Sequence, residues 1–252
     1  MKTTIQLQLA TMPLFASLSD EGRERLACGA QFRYLQRDAV LFRAGEPCNE
    51  FYVVILGQLK LCVLSAKGQE KIIWLVSNGQ SFAEAHLFTN KHFIFNAQAL
   101  SDTLLLRVDK QAVLHSIEHD PRFGMLMLAG VARHWLGLVQ DVESYALHSG
   151  TQRVINYLLH ELEEASTYSF DAGTPGRRDA GMVSLAVSNA SVASRLSLTP
   201  EYFSRVIHEL VDKGLIALDG RNIFIGDVAR LSSYGSPEIR TRAKNVSLYE
   251  SA

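Results

Sequence analysis

Two runs in this 252-residue sequence set reactive side chains at helical spacing. The first is Leu198-Thr199-Pro200-Glu201-Tyr202-Phe203-Ser204-Arg205-Val206-Ile207, followed by His208. Thr199 is a good N-cap, Pro200 suits the first helical position, and Glu201 favours the positive end of the helix dipole. On that helix Phe203, Val206, Ile207 and Leu210 form an inward stripe. Glu201, Ser204, Arg205 and His208 are left on the other side. Arg205 can donate two hydrogen bonds to guanine O6 and N7, Glu201 can accept from a cytosine or adenine amino group, and Ser204 can reach a neighbouring base. The same residues also suit an ordinary exposed helix with an i,i+4 Glu–Arg pair, so the surrounding elements must decide. The second run, His115-Ser116-Ile117-Glu118-His119, matches the H-x-x-E-H pattern of inverted zinc peptidases. It ends an expected Asp109–His119 helix with no evident third ligand, and such spacing recurs by chance on amphipathic helices. Zinc catalysis is not expected, and the chain reads as a non-enzyme.

The elements around the first run favour its base-reading side over the ordinary exposed helix. Met182–Ala186 reads as a strand, Asn189–Leu196 and Pro200–Lys213 as helices, and Ile216–Leu218 and Asn222–Ile225 as strands around an Asp219-Gly220 hairpin signal. Helix, turn, helix and hairpin make a winged helix-turn-helix, whose second helix enters the DNA major groove. Upstream, Ala165–Gly181 is rich in turn formers and reads as a loop. Downstream of Leu231 the apolar period fades into an expected loose tail.

Pro121 can open a long helix. On it Val131, Trp135, Leu138, Val142 and Tyr145 recur at spacings of 4, 3, 4 and 3, a heptad seam that favours a parallel homodimer over a helix packed on its own domain. Before it, Val40–Phe42, Phe51–Ile55, Leu59–Leu64, Lys71–Val76, Asn96–Leu100 and Thr103–Val108 read as strands. Gly45, Gly57, Gly68 and Gly79 punctuate them at intervals of 12, 11 and 11, as in an antiparallel sandwich or barrel. Leu59, Leu61 and Val63 alternate with Lys60 and Cys62, as on a half-buried strand. Asp20–Cys28 precedes them as a short helix. The expected architecture is α+β. Residues 1–119 form an effector-sensing β-roll, 120–148 a dimerisation helix, 149–231 a winged helix-turn-helix domain, and 232–252 a tail.

Composition sets the bounds. At 47% apolar and 20% charged, the chain has ample core-forming material. The longest apolar stretch, Gly124–Ala132, is too short to span a bilayer, and the N-terminus has no signal-peptide core; a soluble cytoplasmic protein without membrane contact is expected. Cys28, Cys48 and Cys62 form no CxxC pair and argue against a disulfide framework. Residues 1–149 carry 14 basic and 14 acidic side chains and residues 150–252 carry 11 and 12, so DNA binding must rest on local placement of charge.

The glycine-punctuated roll, long helix and winged domain together resemble the catabolite-activator/FNR family of bacterial transcription regulators, over about residues 14–231. Glu201-xx-Ser204-Arg205 is similar to the FNR-type recognition signature. The resemblance implies TTGAT-like half-sites in an inverted repeat, a homodimer on double-stranded DNA, and activation through RNA polymerase. Phe82-Ala83-Glu84-Ala85 and Pro200–Arg205 look most like the dissimilatory nitrate-respiration regulator branch, which implies a response to nitric oxide and a link to haem.

In cyclic-nucleotide-binding members a Gly-Glu pair and a following Arg-Ser hold the cyclic phosphate. Here the pair is Ala83-Glu84, and the Arg-Ser position falls in His92-Phe93-Ile94-Phe95-Asn96, which has no arginine. An anionic phosphate there would be desolvated without a cationic partner, which argues against cyclic AMP. Residues 1–27 hold no cysteine, which argues against the iron–sulfur cluster of FNR. Phe82, Glu84, His86 and His92 are the candidate effector-pocket residues. His86 and His92 are the candidate axial ligands of a haem that binds nitric oxide or carbon monoxide, with Met12 and Cys48 as secondary choices. Two alternatives stay open: a ligand-sensing adaptor subunit and a cyclic-nucleotide-responsive regulator. The balance of five basic and five acidic residues over 182–231 keeps the adaptor in play.

Overall fold

Helix caps, positive-φ turns and two-sided strands shape the computed structural model, which describes residues 2–12, 14–89, 91–167, 180–185 and 187–235. The chain divides into two compact units, Met1–Gln140 and Asp141–Ala252.

The first unit opens with helices α1 (Lys2–Thr11) and α2 (Asp20–Cys28). The Ser19 hydroxyl caps α2 by accepting from the Gly22 N–H. Eight strands follow: β1 (Ala30–Leu35), β2 (Val40–Phe42), β3 (Glu50–Leu56), β4 (Leu59–Leu64), β5 (Glu70–Val76), β6 (Ser81–Phe82), β7 (Asn96–Ala99) and β8 (Thr103–Asp109). Helix α3 (Glu84–Thr89) lies between β6 and β7, and α4 (Lys110–His119) and the start of α5 (Pro121–Leu147) close the unit. The strands form two antiparallel sheets, ordered β1-β8-β3-β6 and β2-β7-β4-β5.

The first sheet is buried on both faces, which explains the nearly continuous apolar run of β3. Phe51 and Val53 of β3, with Leu106 and Val108 of β8, join Ile5, Leu9, Leu26, Val113, Phe123 and Met127 in a core under the helices. Tyr52, Val54 and Leu105 point the other way, into the roll interior with Phe42, Leu59, Leu61 and Ala97. At the β3–β4 turn, Gly57 has φ +95°, and a Cβ there would collide with the Asp102 carbonyl and Thr103. Only glycine fits.

Several sequence expectations are corrected. The alternation on β4 fails at a register shift between Leu61 and Cys62, so Cys62 is buried and Val63 is exposed. A bulge adds one residue and swaps the faces beyond it. The N-terminal segment forms α1, because Ile5, Leu9 and Met12 turn inward at helical spacing while Leu7 stays exposed.

The second unit holds the last turns of α5, then α6 (Gly150–Thr167), β9 (Gly181–Ser184), α7 (Asn189–Arg195), α8 (Pro200–Asp212), β10 (Ile216–Asp219), β11 (Asn222–Ile225) and α9 (Val228–Gly235). Its sheet is antiparallel, in the order β10-β11-β9. Asp219 pairs with Asn222, so the hairpin loop is Gly220-Arg221, one residue later than expected, with Gly220 at φ +60°. The expected Ala165–Gly181 loop is overlapped by α6, which runs to Thr167; the remainder of that expectation through residue 179 lies outside the described residues. Likewise, α9 carries the chain past Leu231 to Gly235, and residues 236–252 lie outside the described residues. No helix among the described residues is long and apolar enough to cross a membrane.

Candidate nucleic-acid interface and effector site

Helix α8 starts at a built N-terminus. The Thr199 hydroxyl accepts from the Tyr202 N–H at 3.2 Å, and Pro200 occupies the first turn. Phe203, Val206, Ile207 and Leu210 are buried. Glu201, Arg205 and His208 are exposed on the opposite side, and Ser204 is half-buried. The Glu201 carboxyl is held below its usual range by the backbone N–H at the helix start and by Thr199. Arg205 does not pair with it: the guanidinium Cζ lies 4.7 Å from the Tyr202 ring centroid. The His208 Nδ1 donates to the Ser204 carbonyl at 2.7 Å, which steers its ring back along the helix. Exposed Glu201 and Arg205 thus flank Ser204 on one side of the first two turns, with the guanidinium donors unspent on a carboxylate.

The helix before α8 is tied to the end of α5. Arg195 of α7 forms an ion pair with Asp141 at 2.8 Å and donates to the Tyr145 hydroxyl at 2.9 Å. The Tyr145 hydroxyl in turn donates to the Arg195 carbonyl at 2.6 Å. Arg153 of α6 donates to the Leu196 carbonyl at 2.7 Å. Sequence reasoning missed this network, since no local spacing links residues fifty positions apart.

It also engages one member of the expected seam on α5. Tyr145 faces Arg195 and Val131 is only half-exposed, whereas Trp135, Leu138 and Val142 are exposed. On the other side of the helix Phe123 and Met127 are buried, and His134 meets the Trp74 ring edge-on with centroids 4.0 Å apart. A second exposed apolar row, sharing Trp135 and Val142 with the expected seam, is Met125, Leu128, Ala132, Trp135, Val139, Val142 and Ala146, at spacings of 3 and 4 throughout. That period is present in the sequence, one position away from the expected one at three of its members.

In the roll, Phe82 is fully buried and stacks on Tyr52 at 5.2 Å. Ala83 sits at φ +76°, so the backbone keeps a glycine-like conformation where the sequence has a methyl group. Glu84, only 3% exposed, leaves its Oε1 without a hydrogen-bond partner, and burial pushes its carboxyl up. His86, 8% exposed, leaves Nδ1 unpartnered and is shifted down by burial, towards the neutral imidazole. Its ring lies 5.0 Å from Phe95 and 5.7 Å from Phe93, which itself stacks on Phe42 at 3.6 Å. Two buried polar atoms are therefore left without partners, and the His86 ring lies among aromatic side chains.

The other candidates lie elsewhere. His92 and Lys91 are exposed. Met12 is buried in the core under the helices, away from the roll interior. Cys48 is buried in the roll interior, and its thiol, pushed up mainly by burial, donates to the Glu50 carbonyl at 3.3 Å. His115, Glu118 and His119 are all exposed at the end of α4.

The model of the cyclic nucleotide-binding domain matches residues 32–120, and that of the Crp-like helix-turn-helix domain matches residues 152–234. The chain is 23% identical over 199 residues to the global nitrogen regulator of Nostoc sp., spanning 78% of this chain and 86% of that protein. The fold is similar to that of FixK2 from Bradyrhizobium japonicum, with a TM-score of 0.71 and 20% identity over 82% of this chain and 98% of the other. DNR from Pseudomonas aeruginosa is 33% identical over 91% of this chain and 96% of its own, with a TM-score of 0.46. A roll matched by the cyclic nucleotide-binding domain model and a helix-turn-helix matched by the Crp-like domain model, together more than half of the sequence, place this chain in the Crp/Fnr family of DNA-binding transcription regulators, not among enzymes.

Proposed function

We propose that the chain is a cytoplasmic homodimer that sets two copies of α8 into the major groove of an inverted repeat with TTGAT-like half-sites and activates transcription through RNA polymerase. The observation that carries this reading is the exposed Glu201–Ser204–Arg205 face, whose guanidinium is free of an acidic partner. Thr199 builds the helix start, Arg205 reads a guanine, Glu201 and Ser204 read its neighbours, and His208 lies one turn further along. The exposed row on α5 supports a partner helix from a second copy, which would space the two recognition helices by about one DNA turn. Arg205→Ala should cost roughly 1–3 kcal/mol and relax discrimination at one guanine, as read by competition binding on single-base operator variants. Unchanged affinity and base preference would remove α8 from the role.

The effector we assign to the roll is a diatomic gas, nitric oxide or carbon monoxide, taken through haem. The donor set fits this group: His86 is buried, favours the neutral form, leaves Nδ1 unpartnered and is surrounded by aromatic rings. Bound haem would supply an iron that takes the gas. His86 would hold it from inside the roll, and His92 is the candidate from the surface. The same interior disfavours cyclic AMP, because Lys91, the only cation in the segment 83–96, is exposed. Titration of the purified protein with haem should saturate at one per chain with a sharp Soret band that His86→Ala abolishes. A broad, non-saturating band would point to an organic effector instead.

A further inference from the structure

The H-x-x-E-H run at the end of α4 takes no part in the regulatory reading, yet its geometry is that of a ligand set. His115, Glu118 and His119 lie on one exposed helix face, and one ligand atom from each falls within 4.8 Å of the others. The two imidazole centroids are 4.2 Å apart, and the His115 Nδ1 lies 3.9 Å from the Glu118 Oε2. The His119 Nδ1 sits 2.8 Å from the His115 carbonyl oxygen. A carbonyl can only accept, so Nδ1 carries the proton and Nε2 keeps its lone pair. Histidines that ligate metals are oriented in this way, by donating their other nitrogen to a backbone carbonyl or carboxylate.

We propose that His115, Glu118 and His119 form a surface site for a divalent transition-metal ion such as zinc or nickel. Two imidazoles and one carboxylate suit such ions better than magnesium or calcium, which prefer oxygen ligands throughout. The negative end of the α4 dipole adds attraction for a cation. Solvent exposure leaves the remaining coordination positions to water, and nothing in the site acts as a catalyst. The ion would staple the last turn of α4, on which α5 rests: a Cβ at Gly124 would lie 3.2 Å from Ile117.

The test is calorimetric titration of the full-length, chelator-treated protein with zinc chloride. One ion per chain is expected, together with a rise in Tm. Loss of a mere outer-shell partner weakens metal affinity by about 10–100-fold, so losing a ligand should do no less. His119→Ala and Glu118→Gln should each weaken binding to that extent, and His115→Ala with His119→Ala should abolish it. Because all three side chains are exposed, these variants should keep operator binding, which serves as the folding control. His86→Ala and Cys28→Ser should bind zinc as the wild type does, which separates this site from haem binding in the roll. Undiminished stoichiometric binding by the double variant, or no binding by the wild type, would overturn the proposal.

Discussion

At Ala83 a methyl group occupies a left-handed backbone position, at φ +76°, and the next residue, Glu84, is buried with one carboxyl oxygen unpartnered. Burial raises the folded-state pKa of Glu84 above the ordinary glutamate range. A raised carboxyl pKa gives stability that is complete below the unfolded value and is lost as pH rises through the folded one. Glu84→Gln keeps the shape and removes the ionisable proton. It should therefore stabilise the effector-free protein at neutral pH by about 1–3 kcal/mol and flatten the fall in stability above pH 4.5. Urea unfolding at pH 5 and pH 8 reads both effects, and a destabilised variant would mean that the charged carboxylate is wanted in the empty roll. The sequence marks Glu84 and His86 by their position between two strands. The burial that orphans their atoms comes from tertiary packing, which sets the Phe93 and Phe95 rings beside His86, and no local pattern encodes that.

Elements with strong local signals match their expected positions closely. The buried face of α8 is Phe203, Val206, Ile207 and Leu210, as its period requires, and β4 and β11 have the expected ends. The rotation of α5 was less legible, because both rows, Val131-Leu138-Tyr145 and Ala132-Val139-Ala146, are largely apolar. Tertiary contacts engage Tyr145 with Arg195 and His134 with Trp74, while Leu138 and Val139 are both exposed. Helix α1 was hidden for a different reason, since Ile5, Leu7 and Leu9 alternate as in a strand and only burial of Met12 reveals the helical period. At this scale Trp135→Glu with Val139→Glu should give monomers by sedimentation velocity while far-ultraviolet circular dichroism stays helical. Dimers that persist at the same protein concentration would displace the interface from α5.

For the whole molecule, helix α5 is shared between the two compact units, and the division falls at Gln140 and Asp141. The last turns of α5 belong with the helix-turn-helix, held there by the Asp141–Arg195–Tyr145 network. In the proposed dimer, an effector that favours one arrangement of paired α5 helices would favour one spacing of the two α8 helices, which is a population shift. In the proposed complex, two α8 helices read an inverted repeat. Its most direct test is selection of binding sites from random duplex DNA by the full-length protein, with and without effector. The enriched sequences should contain two TTGAT-like half-sites related by a dyad, with centres about one DNA turn apart. The bound complex should weaken steeply with salt as phosphate contacts release counterions. Enrichment of a lone half-site, or of no sequence at all, would contradict the account.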